Sequence, residues 1–293
     1  MFTKTIRALL KSMRPKQWMK NVLIYTALVF DEKLLDLHSF LITSAGFILF
    51  SLISSTVYLL NDITDIEADR QHPKKKNRPI ASGELNISTA RWAVVGLLLF
   101  VIPLSYVLSP YFCLVLLFYL VLNLSYSRWL KHIVIIDVFV LASFYVIRVV
   151  AGLTLIEVSR FSPWLYVVTT LLALYIGLGK RRAELTLLSD GAQSHRKVLD
   201  GYSLPLLDQY ITIVSATTVV AYSLYTFSAP NLPANHAMML TIPFAIYGIL
   251  RYLYLVQTNH GGGAPEEELL SDRPLQVTIL LWGLVVVLIL YLS

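Results

Sequence analysis

Apolar runs of about 20 residues recur along the whole sequence, each long enough to carry an α-helix across roughly 30 Å of hydrocarbon. That recurrence makes a polytopic membrane protein of the all-α class the first architecture to consider. We place nine spans, at residues 20–36, 38–61, 90–108, 111–127, 133–156, 163–180, 209–228, 236–257 and 274–292. The first is the weakest, because Asp31, Glu32 and Lys33 interrupt it early. Composition agrees: 56% of the 293 residues are hydrophobic and 14% charged, against roughly 45–50% and 25% in soluble domains. One membrane domain covering 1–293 therefore accounts for the chain.

Charge then orients the bundle. Alternating the loops puts residues 1–19, 62–89, 128–132, 181–208 and 258–273 on one side, and these carry most of the lysine and arginine. By the positive-inside rule that side is cytoplasmic, with the amino terminus inside and the carboxyl terminus outside. Lys4, Arg7, Lys11, Arg14, Lys16 and Lys20 accompany no signal-peptide core, so an amphipathic basic anchor is expected at the start. The net charge of +6 is dispersed among loops and does not form a patch with interleaved aromatics, which argues against a nucleic-acid partner. Cys113 is the single cysteine, so no intrachain disulfide forms. A homo-oligomer is compatible with the sequence.

Two cytoplasmic loops, 62–89 and 181–208, are longer than connections require, and each begins with a charged cluster at a helix end. The first cluster is Asn61-Asp62-Ile63-Thr64-Asp65-Ile66-Glu67-Ala68-Asp69-Arg70. On an unbroken helix Asp62, Asp65 and Asp69 fall within about 60° of one another. Three converging carboxylates call for a cation, and hard oxygen ligands suit Mg²⁺, which takes substrate phosphates as further ligands. Pro73 should stop the helix and let the basic run fold back, with Lys74 and Arg78 facing diphosphate oxygens. Asn61 and Arg70 flank the acids and join the candidate substrate-binding set; Lys75 and Lys76 fit the positive-inside bias.

The segment NDITDIEADRQHPKKKNRPIASG resembles the first aspartate-rich motif of the UbiA superfamily of intramembrane prenyltransferases. That resemblance implies a helical bundle around a central cavity, with magnesium-bound diphosphate at the cytoplasmic opening and a lipid chain running toward the bilayer. Most members carry a second aspartate-rich motif after the sixth helix. Here the place reads Gly177-Leu178-Gly179-Lys180-Arg181-Arg182-Ala183-Glu184-Leu185, a basic run in which Lys180 and Glu184 share a face while Arg181 and Arg182 can point toward the opening. Extra cations beside a magnesium site suit a substrate with more phosphate than a prenyl diphosphate supplies.

With RPKQWMKN, which holds Lys16 and Lys20, LKHIVIIDVF, VIRVVAG and LGKRRAEL followed by His195-Arg196, the chain resembles the phosphoribosyltransferase branch of that superfamily. In that branch the diphosphate belongs to 5-phosphoribosyl diphosphate and the acceptor is a polyprenyl phosphate. Asp137 and Arg148, eleven residues apart, lie within about 20° on one helix face. An arginine so deep costs at least roughly 2.5–3.5 kcal/mol unless it meets a partner or an anionic ligand. Tyr126 and Lys131, at the exit of the fourth span, are placed to hold the lipid phosphate.

The expected activity is Mg²⁺-dependent transfer of 5-phosphoribosyl to a polyprenyl phosphate at the cytoplasmic face of a bacterial inner membrane. Asp62, Asp65 and Asp69 hold the metal, and Lys74, Arg78, Lys180 and Arg182 neutralise the remaining phosphate charge. The alternative is prenyl transfer from a prenyl diphosphate to an aromatic acceptor, served by the same acids. A lipid transporter ranks third, since the acids lie at a helix end and not near the bilayer midplane.

Overall fold

The structure is a computed structural model and describes residues 2–72, 75–158, 162–189, 197–230, 232–258 and 271–292. Among these residues there are helices and connections but no strand. The contacts divide the chain into two compact units. One comprises Met1–Leu28, Lys33–Arg128 and Ile147–Glu157, the other Val29–Glu32, Trp129–Val146 and Val158–Ser293.

In the first unit α1 (Phe2–Met13) is amphipathic and basic, and packs on α3 (Leu37–Thr64). A 3₁₀ helix, Pro15–Tyr25, and a five-residue α2, Thr26–Phe30, stand where the first span was predicted. The two follow without a break, and Trp18, Asn21 and Tyr25 donate in turn to Ser55, Ser51 and Ser44, so the stretch runs antiparallel along α3, with a 3₁₀ segment in place of the regular helix expected over 20–36. The chain turns at Glu32, whose φ is 56°, and Lys33 donates to the Glu157 carbonyl, so the charges end the helix there. Eight other stretches among the described residues have the length and hydropathy to cross.

Helix α3 starts on Asp36, whose side chain accepts from Ser39 N at 2.9 Å. Those Ser39 hydrogen bonds hold the Asp36 carboxyl below the usual carboxylate range. After α3 come α4 (Ile66–Gln71), α5 (Ile87–Leu108) and α6 (Pro110–Arg128). Ala8, Met13, Leu59, Ile80, Leu85, Ala90 and Val94 are all buried in one cluster, which fastens the 79–85 turn and α1 against the end of α3. Helix α7 (Ile136–Leu153) gives its last turns to this unit, where a Cβ on Gly152 would collide with the Ile24 carbonyl. Only glycine lets the two backbones approach so closely.

The second unit is built on the pairing of α8 (Pro163–Ser189) with α9 (Leu204–Ser228), and of α10 (Ile242–Thr258) with α11 (Arg273–Leu292). Its core includes Val138, Leu174, Leu178, Leu207, Ile211 and Val256. Tyr175 donates to the Ile249 carbonyl at 2.6 Å, which satisfies the buried phenol between α8 and α10.

Candidate active site

The acidic motif does not continue α3 as one even helix. α3 ends at Thr64 and α4 begins at Ile66, with Asp65 between them at φ −94° and ψ 10°. Hydrogen bonds still bridge the junction, from Asp65 N to Asn61 O at 2.9 Å and from Asp69 N to Asp65 O at 2.8 Å. The break turns Asp65 outward, where it is exposed, while Asp62 and Asp69 are each 2% exposed. The three-carboxylate face predicted from regular helical spacing is therefore a pair plus an outlier. Among the described residues no three acidic, histidine or cysteine side chains lie close enough to hold a metal.

Two arginines hold the pair. Arg78 donates to Asp69 Oδ2 at 2.6 Å and to Asp62 Oδ1 at 3.2 Å. Arg14 Nη2 donates to the same Asp62 Oδ1. Residues before proline favour extended backbone, yet Arg14, preceding Pro15, sits left-handed at φ 53° and ψ 61°. Strain of that kind costs about 1–3 kcal/mol and persists only where the surroundings demand it; here the guanidinium also lies 4.8 Å from the Tyr58 ring centre. Sequence reasoning absorbed Arg14 into a basic anchor. Only its place in RPKQWMKN marked it out, since nothing local to residue 14 says that it reaches residue 62.

The pair suits a hard dication in one respect that the arginines leave open. Asp62 Oδ2 is buried and accepts no hydrogen bond among the described residues. An unpartnered carboxylate oxygen in a dry site is costly unless a cation completes it, and an all-oxygen donor set is what Mg²⁺ prefers.

Other candidates around the motif are engaged in structure. Asn61 Oδ1 accepts from Ser127 Oγ at 2.8 Å, joining the ends of α3 and α6. Arg70 pairs with Glu67 at 3.0 Å and donates to the Ala81 carbonyl at 3.3 Å, which holds the turn after the acids. Lys16 is exposed, and Lys20 and Tyr126 are half-buried. Lys74 lies outside the described residues, as do His195 and Arg196.

Arg148 is 4% exposed and ends in a polar pocket of the first unit. Its Nε donates to Asn21 Oδ1 at 2.8 Å, and Asn21 Nδ2 donates to Ser51 Oγ at 2.9 Å. Tyr119 accepts from Arg148 at 3.4 Å, and the rings of Phe50 and Tyr119 flank the guanidinium with centres at 5.3 and 5.4 Å. The predicted partner for this deep charge is thus an asparagine and two aromatic faces.

In the second unit the basic run is largely consumed. Arg181 is fully buried; it donates to Asp137 Oδ2 at 2.5 Å and pairs with Glu184. Tyr202 donates to Asp137 Oδ1 at 2.7 Å. Burial, and then the hydrogen bond to Asp137, push the Tyr202 phenol far above its ordinary value, so it remains a donor. Arg181, expected to point toward the opening, is instead buried against Asp137 with the half-buried Glu184 beside it, because its countercharges stand inside the unit. Arg182 donates to Asp208 at 2.6 Å and to the Val256 carbonyl at 3.2 Å. Lys180 and Lys131 are half-buried.

The model of the UbiA prenyltransferase family matches residues 22–267. This chain belongs to that family. Over 289 residues it is 35% identical to the decaprenyl-phosphate phosphoribosyltransferase of Mycobacterium tuberculosis, covering 94% of this chain and 92% of that protein. The enzyme of the same name from Corynebacterium glutamicum is 33% identical over 291 residues, covering 97% and 87%. A UbiA homologue from Archaeoglobus fulgidus, solved with DMAPP and Mg²⁺, shares the fold with a TM-score of 0.71 at 18% identity, over 97% of this chain and 99% of that one. Like other UbiA proteins, then, this is an integral, multi-pass membrane protein of a transferase family.

Proposed function

We propose that this UbiA-family chain transfers the 5-phosphoribosyl group of 5-phosphoribosyl diphosphate to a polyprenyl phosphate, giving polyprenyl-phosphoryl-5-phosphoribose and diphosphate. The observation that carries the reading is likeness over almost the full length to two enzymes named as phosphoribosyltransferases of decaprenyl phosphate. The lipid acceptor fits a chain with eight long apolar helices among its described residues, which suit a bilayer.

Asp62 and Asp69, with Asp65 from the exposed junction, would hold Mg²⁺. When bound, the metal makes diphosphate a better leaving group. Arg78 and Lys74 are assigned to diphosphate oxygens. Of the run Lys180-Arg181-Arg182, the half-buried Lys180 is the cation we assign to the donor's 5-phosphate, since Arg181 and Arg182 already serve Asp137, Glu184 and Asp208. Carbon 1 of the ribose gains oxocarbenium character as diphosphate leaves, and an oxygen of the lipid phosphate, already ionised at neutral pH, attacks it. Positioning and charge compensation do most of the work, and little help from a general base is needed. We place this chemistry on the cytoplasmic side of a bacterial inner membrane, where the basic loops belong.

The test is a choice of label. Purified protein is given radiolabelled 5-phosphoribosyl diphosphate with a polyprenyl phosphate, and separately a labelled prenyl diphosphate with hydroxybenzoate. Ribose label entering a lipid is expected. Prenyl label entering the aromatic, with none from ribose, would return the chain to ordinary prenyl transfer.

A further inference from the structure

The acids of the motif are already neutralised by the protein's own cations. Asp62 and Asp69 side chains are 2% and 3% exposed, whereas Arg14 and Arg78 are 29% and 27% exposed. The carboxylates are therefore fixed, and the guanidinium groups have one side toward the outside. A buried carboxylate stays ionised only beside a countercharge, and two arginines supply two positive charges to two acids. One divalent cation carries the same charge, so cation and arginines are alternatives at this pair. The arginines, once released, present forked donors suited to phosphate oxygens.

We propose that Arg14 and Arg78 are built-in counterions that keep a divalent cation off Asp62 and Asp69 until a diphosphate arrives to take them over, so that metal and diphosphate bind as a unit. This rests on the metal assignment made above. Asp62 Oδ2, which accepts no hydrogen bond among the described residues, gives the incoming cation a first foothold that neither arginine contests. Arg14 is the more telling of the two, because its left-handed backbone aims it at Asp62 from 48 residues away. By linkage, whatever the diphosphate adds to cation affinity the cation adds to diphosphate affinity.

The experiment measures Mn²⁺ bound to the full chain in detergent by equilibrium dialysis, at matched free Mn²⁺ activity, with and without inorganic diphosphate. Wild type should bind Mn²⁺ weakly alone and roughly tenfold or more tightly with diphosphate, within the usual range of coupling between sites. Arg14→Gln should bind Mn²⁺ alone several-fold more tightly than wild type, and diphosphate should then add less. Arg78→Gln should move in the same direction, while Arg14→Lys, which keeps the charge, should stay near wild type; these two carry the comparison if Arg14→Gln does not fold. Equal Mn²⁺ affinity in wild type with and without diphosphate, or Mn²⁺ binding unchanged or weakened by Arg14→Gln, overturns the proposal. Asp62→Asn separates the layers. Loss of Mn²⁺ binding in that variant leaves the metal assignment standing whatever the arginine variants do, and undiminished binding removes the assignment itself.

Discussion

At the scale of single residues, the two buried aspartates and the exposed one should behave differently. Asp62→Asn and Asp69→Asn remove a proposed metal ligand and also leave Arg78 facing a neutral amide. We expect each to lower kcat/KM by about a hundredfold or more, a loss of roughly 2.7 kcal/mol of transition-state stabilisation, and to raise the Mg²⁺ needed for half-activity. Asp65→Asn should cost less, because its side chain stands outside the pair. Steady-state rates over a Mg²⁺ series, on variants shown to insert normally, decide this. Arg148→Met strands Asn21 Oδ1, and a buried acceptor without a donor costs about 1–3 kcal/mol. That variant should melt lower in detergent and turn over more slowly; a fully active variant that melts higher would show Arg148 to be a costly structural charge.

The elements were the most legible layer. Predicted spans 38–61, 90–108 and 274–292 correspond to α3, α5 and α11 with shifts of a few residues, because a run of apolar residues flanked by Asp36, Asn86 or Arg273 leaves little choice of register. Span 20–36 takes shape as a 3₁₀ helix followed by the short α2 in place of one regular helix, where hydropathy was already marginal. Side-chain partners were the illegible layer. Asp137 and Arg181 are 44 residues apart, and Asp62 and Arg14 are 48 apart, so only packing shows that they pair. Asp65 escaped for a subtler reason, since a one-residue break in a helix leaves the hydropathy pattern intact while rotating the side chain away. The cluster of Asp137, Arg181 and Tyr202 ties α7 and α8 to the 197–201 turn, so it belongs at this scale. Tyr202→Phe should leave Asp137 Oδ1 short of a donor and lower stability by about 1–3 kcal/mol, read as melting temperature. Because the folded phenol titrates far above the unfolded one, its contribution is complete below the ordinary tyrosine value of about 10. It declines as pH rises above that, since the unfolded chain ionises first.

For the whole molecule, orientation is the property that sequence alone implied and that labelling can check. Cys113 is buried and is the single native thiol, so reporter cysteines can be read against a quiet background. Glu84 and Tyr111 are both exposed and flank α5. Glu84→Cys should react with an impermeant maleimide only from the cytoplasmic face and Tyr111→Cys only from the other. The reverse pattern would turn the bundle over and place the acids outside the cell.

Length adds a last consequence. At 1.5 Å per residue the 28 residues of α3 span about 42 Å, whereas the hydrocarbon is about 30 Å thick. We propose that the surplus lifts Asp62 and the junction after it into the headgroup layer, within reach of a water-soluble substrate. Hydrophobic mismatch thereby becomes a variable of the chemistry: a thicker bilayer swallows the overhang, and a thinner one tilts the helix. Reconstituted in phosphatidylcholines of rising acyl length, the enzyme should hold its activity up to the thickness at which the carboxylates begin to submerge, and lose it beyond that point.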